Sequence, residues 1–258
     1  MCACCSARAA GEAYLDRVRG ILGDIDEAEE AVHSHAREMS GSVRVASLPG
    51  MATHLVAPAI AEFRRLHPKV TIELHSVVLA YRSIEGHDLT LLTDHVPLPA
   101  GAVVRPVVSS ESIFCASPDY VRRHGTPQLP QALLQHAFIR VMLPGVPSAP
   151  VRFVNENEPD RTEELEVAPV LCCNDHEAVL RSTVEGAGVS SQVLQVAAPL
   201  LRDGRLQRVM APWLAERFTL LACFASRRHV PTRTRAFLDH LIRHATFSKD
   251  GLLPEAHP

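Results

Sequence analysis

The feature that most constrains the fold is an alternation of strand-like and helix-like segments from Ser42 almost to the end of the chain. The stretch SVRVASLPGMATHLVAPAIAEFRRLHPKVTIEL contains one full repeat: a strand, a short loop, an amphipathic helix and a second strand. A helix between two strands carries the chain back across the sheet, so that the strands can lie parallel. The sequence therefore predicts an α/β fold with mostly parallel strands.

A different pattern precedes this alternation. No proline occurs before residue 49, and apolar residues recur at the three-to-four spacing of one helix face. We predict a disordered start at 1–9 and a long amphipathic helix over 10–40. The narrow apolar face favours a helix that pairs with a partner chain, and packing against its own domain is the alternative. The residues of this face are Leu15, Val18, Leu22 and Ile25.

Composition excludes several classes of protein. With 258 residues and 47% hydrophobic residues, the chain can build one large core or two small ones. Its net charge of −3 gives no overall positive field to attract nucleic acid. No apolar run reaches the roughly 18 residues of a membrane span, and the start MCACCSARAA lacks the apolar region of a secretory signal. A cytoplasmic location is expected.

No motif indicates a metal, a cofactor or a catalytic group. Three of the seven cysteines stand at the start, too few for a closed zinc site, and the other four lie in apolar runs typical of buried thiols in a reducing compartment. The segment GAGVSSQ lacks the final glycine of a nucleophile elbow, and HEAVL lacks the second histidine of a zinc helix. We predict neither an enzyme nor a bound cofactor.

Candidate binding residues follow from the ends of strands, because ligands of open α/β sheets bind beyond the carboxyl ends. The loop after the first strand runs from Ser47 to Thr53. Pro49 and Gly50 are predicted to turn the chain and the helix to start near Ala52, so that its free N–H groups hold an anion such as a carboxylate. A plain turn in which Thr53 caps the helix explains the loop equally well.

Two further junctions belong to the same hypothesis. In CCNDHEAVL, Asn174 or Asp175 is predicted to cap a helix, and in GAGVSSQ, Gly188, Ser190 and Ser191 are predicted to lie at another edge of the sheet. If the protein has two lobes, these junctions face the first loop across one cleft.

Five segments, taken in the order in which they occur along the chain, resemble the effector-binding domain of LysR-type transcriptional regulators. The resemblance covers about Ser42 to Ala245, and the segment before it, AAGEAYLDRVRGILGDIDEAEEAV, resembles the linker helix of that family. The five segments are SGSVRVASLPGMATHLVAPAIAEFRRLHPKVTIEL, EGHDLTLLTD, CASPDYVRRHGTPQLPQALLQH, CCNDHEAVLRSTVEGAGVSS and LLRDGRLQRVM.

The resemblance implies a periplasmic-binding-protein-like fold of type 2, in which two crossover strands join two α/β lobes behind a long linker helix. The effector-binding domain is then expected at 42–247, and the tail 248–258 is expected to be loose. Lobe I would combine 42–114 with 218–247, and lobe II would span 117–217.

The resemblance also implies a function: a small-molecule effector in the cleft controls transcription, and the chains form a homodimer or tetramer. DNA contact would need a winged-helix domain, which the short segment before the predicted linker helix is not expected to form. The alternatives are a solute-binding receptor of the same fold and a truncated regulator that pairs with intact subunits. The expected effector-binding residues are Ser47, Leu48, Pro49, Gly50, Met51, Thr53, Thr93, Asn174 and Ser190.

Overall fold

The computed structural model describes residues 39–80, 84–98, 101–142, 149–224 and 230–250, with side chains to Ala245, and five residues of the predicted linker helix. Those five are helical: Gly11, Tyr14, Arg17, Val18 and Ile21. Most of the predicted pairing face, the predicted disordered start and the end of the chain lie outside the described residues. The last helix continues to Asp250, beyond the expected start of the tail.

Eleven strands and six α-helices make up the described structure. The strands are β1 (Gly41–Ser47), β2 (Val70–Ser76), β3 (Leu89–Thr93), β4 (Val103–Ala116), β5 (Phe138–Val141), β6 (Val151–Asn155), β7 (Thr162–Leu165), β8 (Pro169–Cys173), β9 (Val189–Val193), β10 (Gln207–Arg208) and β11 (Trp213–Phe224). The helices are α1 (Pro49–Met51), α2 (Ala57–Leu66), α3 (Pro118–His124), α4 (His176–Val184), α5 (Leu194–Arg202) and α6 (Thr232–Asp250). A π-helical turn, Ala52–Val56, joins α1 to α2, and a 3₁₀ helix occupies Pro130–Gln135.

The strands follow the order β2-β1-β3-β11-β4-β9-β5-β8. At either end of this order the pairs are parallel, β1 with β2 and β3, and β5 with β8 and β9. The centre is antiparallel, because β11 pairs with β3 and β4, and β4 pairs with β9. The expectation of mostly parallel strands is therefore wrong. Two long antiparallel strands, β4 and β11, cross the whole middle of the sheet.

One hydrophobic core lies under the β1 end of the sheet. The Phe63 ring from α2 meets the Phe237 ring from α6 edge to face at 5.0 Å between centroids, and both side chains are fully buried. Val43 and Val45 of β1 pack against the same cluster. Each buried aliphatic or aromatic side chain contributes about 1.5–3 kcal/mol relative to leaving it exposed. This core fixes α2, and with it the start of the helical segment at Pro49.

A second set of core clusters lies at the β9–β5–β8 end. Phe114 of β4 stacks on Phe153 of β6 at 5.0 Å, and Trp213 of β11 belongs to the same cluster. Ile113 and Leu214 are the neighbours of Phe114 and Trp213 on the two long strands. Both belong to an adjacent cluster that also contains residues of α5. Since β4 and β11 also supply Val107 and Leu220 to the first core, both strands contribute to the cores at both ends.

Candidate functional site

The first junction differs from its prediction in one respect. The helix begins at Pro49, not near Ala52, and Pro49 and Gly50 are its first residues rather than a turn. Proline suits a first helical position because its fixed φ matches the helix and its missing N–H would have had no partner there. Leu48 precedes the helix and gives no side-chain cap. The backbone N–H groups at Gly50 and Met51 therefore open the helix without an intrahelical partner.

This start changes the roles of the two hydroxyl residues. Thr53 lies in the π-helical turn and is exposed, so the alternative in which it caps the helix is wrong. Ser47 is fully buried at the end of β1, and its hydroxyl donates to the carbonyl oxygen of Leu48 at 3.3 Å. The residues between them, from Leu48 to Met51, are half-buried.

The second junction confirms the predicted cap. The Asp175 carboxylate accepts hydrogen bonds from the backbone N–H groups of Glu177 at 2.8 Å and Ala178 at 3.3 Å, and α4 begins directly after it. A carboxylate at this position is also stabilised by the helix dipole. Asn174, which precedes it, is exposed.

These two junctions lie against each other. A Cβ placed on Gly50 would sit 3.9 Å from Cβ of His176, an ordinary contact, so that glycine leaves room above the first residue of α4. One turn further along, His54 Nε2 and Glu177 Oε1 are 2.6 Å apart. Both side chains remain partly exposed, at 29% and 45%. The contact ties the helix start of the β1 end to the helix start of the β8 end.

The remaining two predicted site residues differ in their surroundings. Ser190 is fully buried, and its hydroxyl lies 2.7 Å from both Thr183 Oγ1 and Gln192 Nε2. That hydroxyl therefore supports α4 against β9 from inside the core. Thr93 is half-buried at the end of β3, immediately before the loop that carries His95.

Glu216 of β11 connects that loop to the long strands β4 and β11. Its Oε1 accepts a hydrogen bond from the Ser112 hydroxyl at 3.1 Å, and its Oε2 lies 3.3 Å from His95 Nδ1. The pairing of β4 with β11 shifts register between Leu214 and Glu216. Such irregularities re-aim a side chain out of the regular alternation. Ser112 is buried, whereas the Glu216 side chain is 48% exposed.

His176 contacts the first helix start through Gly50, and its ring also lies close enough to Glu216 to be influenced by that carboxylate. Burial lowers the pKa of His176, although the nearby carboxylates of Asp175, Glu177 and Glu216 act in the opposite direction. Desolvation disfavours the charged imidazolium, so the ring is neutral near pH 7. Its Nδ1 is buried and has no hydrogen-bond partner among the described residues.

The sequence did not single out this group, whose members are His54, Ser112, His95, His176, Glu177 and Glu216. The signal available was slight: His176 and Glu177 follow the predicted cap directly, and Glu216 interrupts the apolar pattern of WLAERFTLLACF. Within the described part of the chain, no three histidine, cysteine or carboxylate side chains are grouped to hold a metal ion. Nor does a described helix have the length and apolar character needed to cross a membrane.

Comparisons with known proteins agree on one family. The family model described as LysR substrate binding domain matches residues 36–246. The uncharacterized HTH-type transcriptional regulator YhjC of Escherichia coli K12 is 29% identical over 233 residues, covering 90% of this chain and 77% of that protein. An HTH-type transcriptional regulator of Xanthomonas campestris is 26% identical over 247 residues, covering 95% of this chain and 72% of that protein.

Solved structures share the fold. The regulatory domain of CrgA, a LysR-type transcriptional regulator from Neisseria meningitidis, is similar with a TM-score of 0.70 at 23% identity, covering 80% of this chain and all of that one. Full-length AphB, a virulence activator of Vibrio cholerae and a member of the LTTR protein family, is similar with a TM-score of 0.70 at 20% identity. That match covers 92% of this chain and 79% of AphB. The predicted periplasmic-binding-protein-like fold of type 2 is confirmed.

Proposed function

The chain belongs to the LysR substrate-binding domain family, and from this premise we propose that it senses a small-molecule effector held in a cleft between two α/β lobes. Proteins of this family are transcriptional regulators, and the chain contains their effector-binding domain. In the proposal the bound effector alters how the lobes or the chains are arranged, and transcription responds. No catalytic step is assigned to any residue.

The contact between the two helix starts carries this proposal. Gly50 lies against His176, and His54 contacts Glu177 at 2.6 Å, although the two segments belong to opposite ends of the sheet. A ligand that entered here would touch both ends at once, and sites between two lobes bury most of a small ligand. Differential contact with the open and closed arrangements is what allows a ligand to shift the balance between them.

The lobe boundaries are part of the proposal. Lobe I would comprise 42–114 and 218–247, and lobe II would comprise 117–217. The distribution of the cores supports this division, because β4 and β11 each supply residues to both sets of clusters. The crossovers would then lie within β4 and β11, close to the register shift beside Glu216.

The effector site in this proposal is built from the first junction, Leu48 to Thr53, and from Asn174 and Thr93 at neighbouring strand ends. Ser47 and Ser190 stabilise the site from the protein interior, where their hydroxyls are already hydrogen-bonded. His176, Glu177 and Glu216 join the site on the strength of their contacts.

Association and DNA binding complete the proposal. We place the regulator in the cytoplasm as a homodimer or tetramer that associates through the helix 10–40 and the lobes. Operator binding is attributed to a winged-helix domain of the assembled regulator, not to residues 39–250.

Exchanging Leu22 and Ile25 for glutamate should put charges on the pairing face and shift the chain toward monomer in sedimentation velocity. An unchanged dimer would place the contact between lobes.

The effector site is tested by filling the space above His176. Gly50→Leu suits a helical backbone, and its Cβ would meet the Cβ of His176 at an ordinary 3.9 Å, so the larger side chain should fill the space above His176. Thermal unfolding is measured with a library of small carboxylates, amines, amino acids and sugars. Ligands that raise the melting temperature of the unaltered protein should lose that effect with Gly50→Leu and keep it with Ala57→Leu, an exposed position on the same helical segment. Equal shifts of the melting temperature in both variants would show that the ligand does not bind in this cleft.

A further inference from the structure

We propose that the effector carries a protonated amine and that the Glu216 carboxylate binds it. This inference rests on the proposed function and names the chemical class of its ligand. It replaces the carboxylate expected from the sequence, which was based on a free helix start alone. The two expectations differ in the sign of the ligand's charge, and that difference can be measured directly.

The first reason is the way Glu216 is held. Its two oxygens are oriented by the Ser112 hydroxyl and the His95 ring, and neither partner is a permanent cation. By contrast, Glu111, the neighbouring carboxylate on β4, lies 3.8 Å from the Arg217 guanidinium. Glu216 thus offers a pre-oriented, half-exposed carboxylate to a ligand, whereas Glu111 already faces a cation.

The second reason is the field around His176. Three carboxylates act on this ring, those of Asp175, Glu177 and Glu216, and the ring itself stays neutral because it is desolvated. Asp94 adds a fourth carboxylate, 3.7 Å from His95. Acidic groups that converge on one partly dry surface attract a cation and repel an anion.

The third reason is the state of the helix starts. The start of α4 is occupied by its own Asp175 carboxylate, so it offers no place for a ligand anion. The start at Pro49 meets the first residue of α4 through Gly50, and a ligand acid group beside its N–H groups is compatible with an amine at Glu216. An amine is therefore required by the proposal, and an acid group is compatible with it.

Calorimetry on the full 258-residue chain at about pH 7.5, where aliphatic amines are protonated, tests this with probes of similar shape and different charge. Benzylamine and 1,4-diaminobutane are the cations, benzoate is the anion and benzamide is the neutral probe. At least one amine should bind, benzoate and benzamide should not, and added salt should weaken the amine. Glu216→Gln should weaken binding about 10- to 150-fold, as expected for losing a hydrogen bond to a charged group. Glu111→Gln, on the same pair of strands, should leave the affinity unchanged.

Three outcomes overturn the inference. If benzoate binds, is lost with Gly50→Leu, and neither amine binds, the cleft is an effector site for anions and only the inference falls. If an amine binds equally well to Glu216→Gln, Glu216 is not its partner. If no probe and no member of the wider library binds at concentrations up to about 10 mM, weaker than any useful affinity, the proposed function falls together with the inference.

Discussion

Exchanging His54 and Glu177 for glutamine, singly and together, tests whether their contact holds the two ends of the sheet together. The two side chains meet at 2.6 Å across the proposed cleft, and each is partly exposed, at 29% and 45%. Glutamine keeps the approximate size and the hydrogen-bonding ability of both residues but removes the imidazole and the charge. The fold should therefore remain, and only the tie between the helix starts should weaken.

The expected magnitude follows from the geometry. A hydrogen bond to a charged group contributes about 1.5–3 kcal/mol when shielded, but exposed pairs contribute only about 0.2–1 kcal/mol, so we expect a coupling of about 0.3–1 kcal/mol. That coupling corresponds to a change of about 2- to 5-fold in the balance between closed and open arrangements. Each single variant should lose the whole coupling energy, and combining the two exchanges should cost no further coupling energy.

The coupling is measured from urea unfolding of the four proteins, and the opening from their radius of gyration in small-angle X-ray scattering. Arg181→Gln is the matched control, because its pair with Glu185 at 2.5 Å joins the last turn of α4 to the residue that follows it and spans no cleft. It should leave the radius of gyration unchanged. If the effects of the two single variants add within about 0.3 kcal/mol, as independent sites do, the contact does not tie the lobes and the reasoning fails.

Two further predictions concern the cores. Gly188→Ala should destabilise the fold by about 1–3 kcal/mol in urea unfolding, because its new methyl group would overlap the backbone carbonyl oxygen of Ala137; an unaffected midpoint would contradict this. Iodoacetamide at about pH 8 should modify Cys172 well before Cys115 in peptide mass spectrometry, since Cys172 is exposed whereas burial raises the pKa of Cys115 to about 12; comparable rates would contradict the buried position.

Local chemistry was enough to predict the elements of this fold. Asp175 caps α4 as the sequence indicated, because a cap depends on a few adjacent residues. The alternation of strands and helices likewise predicted the α/β class. The mixed sheet was not predictable in this way, since the direction of β4 relative to β11 depends on partners about a hundred residues apart.

The character of the candidate site shows why a strand end alone is a poor guide to a ligand. At Ser47–Thr53 the sequence offered a helix start and two hydroxyls, and these suggested an anion. Folding buries the Ser47 hydroxyl, moves Thr53 into the second turn and sets the acidic start of α4 opposite. The register shift in β11 adds Glu216 from a segment whose sequence reads as an ordinary strand. The charge that a ligand meets is the sum over all of these segments, so it emerges only when the topology has brought them together. Here the carboxylates of Asp175, Glu177 and Glu216 all act on His176, and for this reason the proposed ligand changes from an anion to a cation.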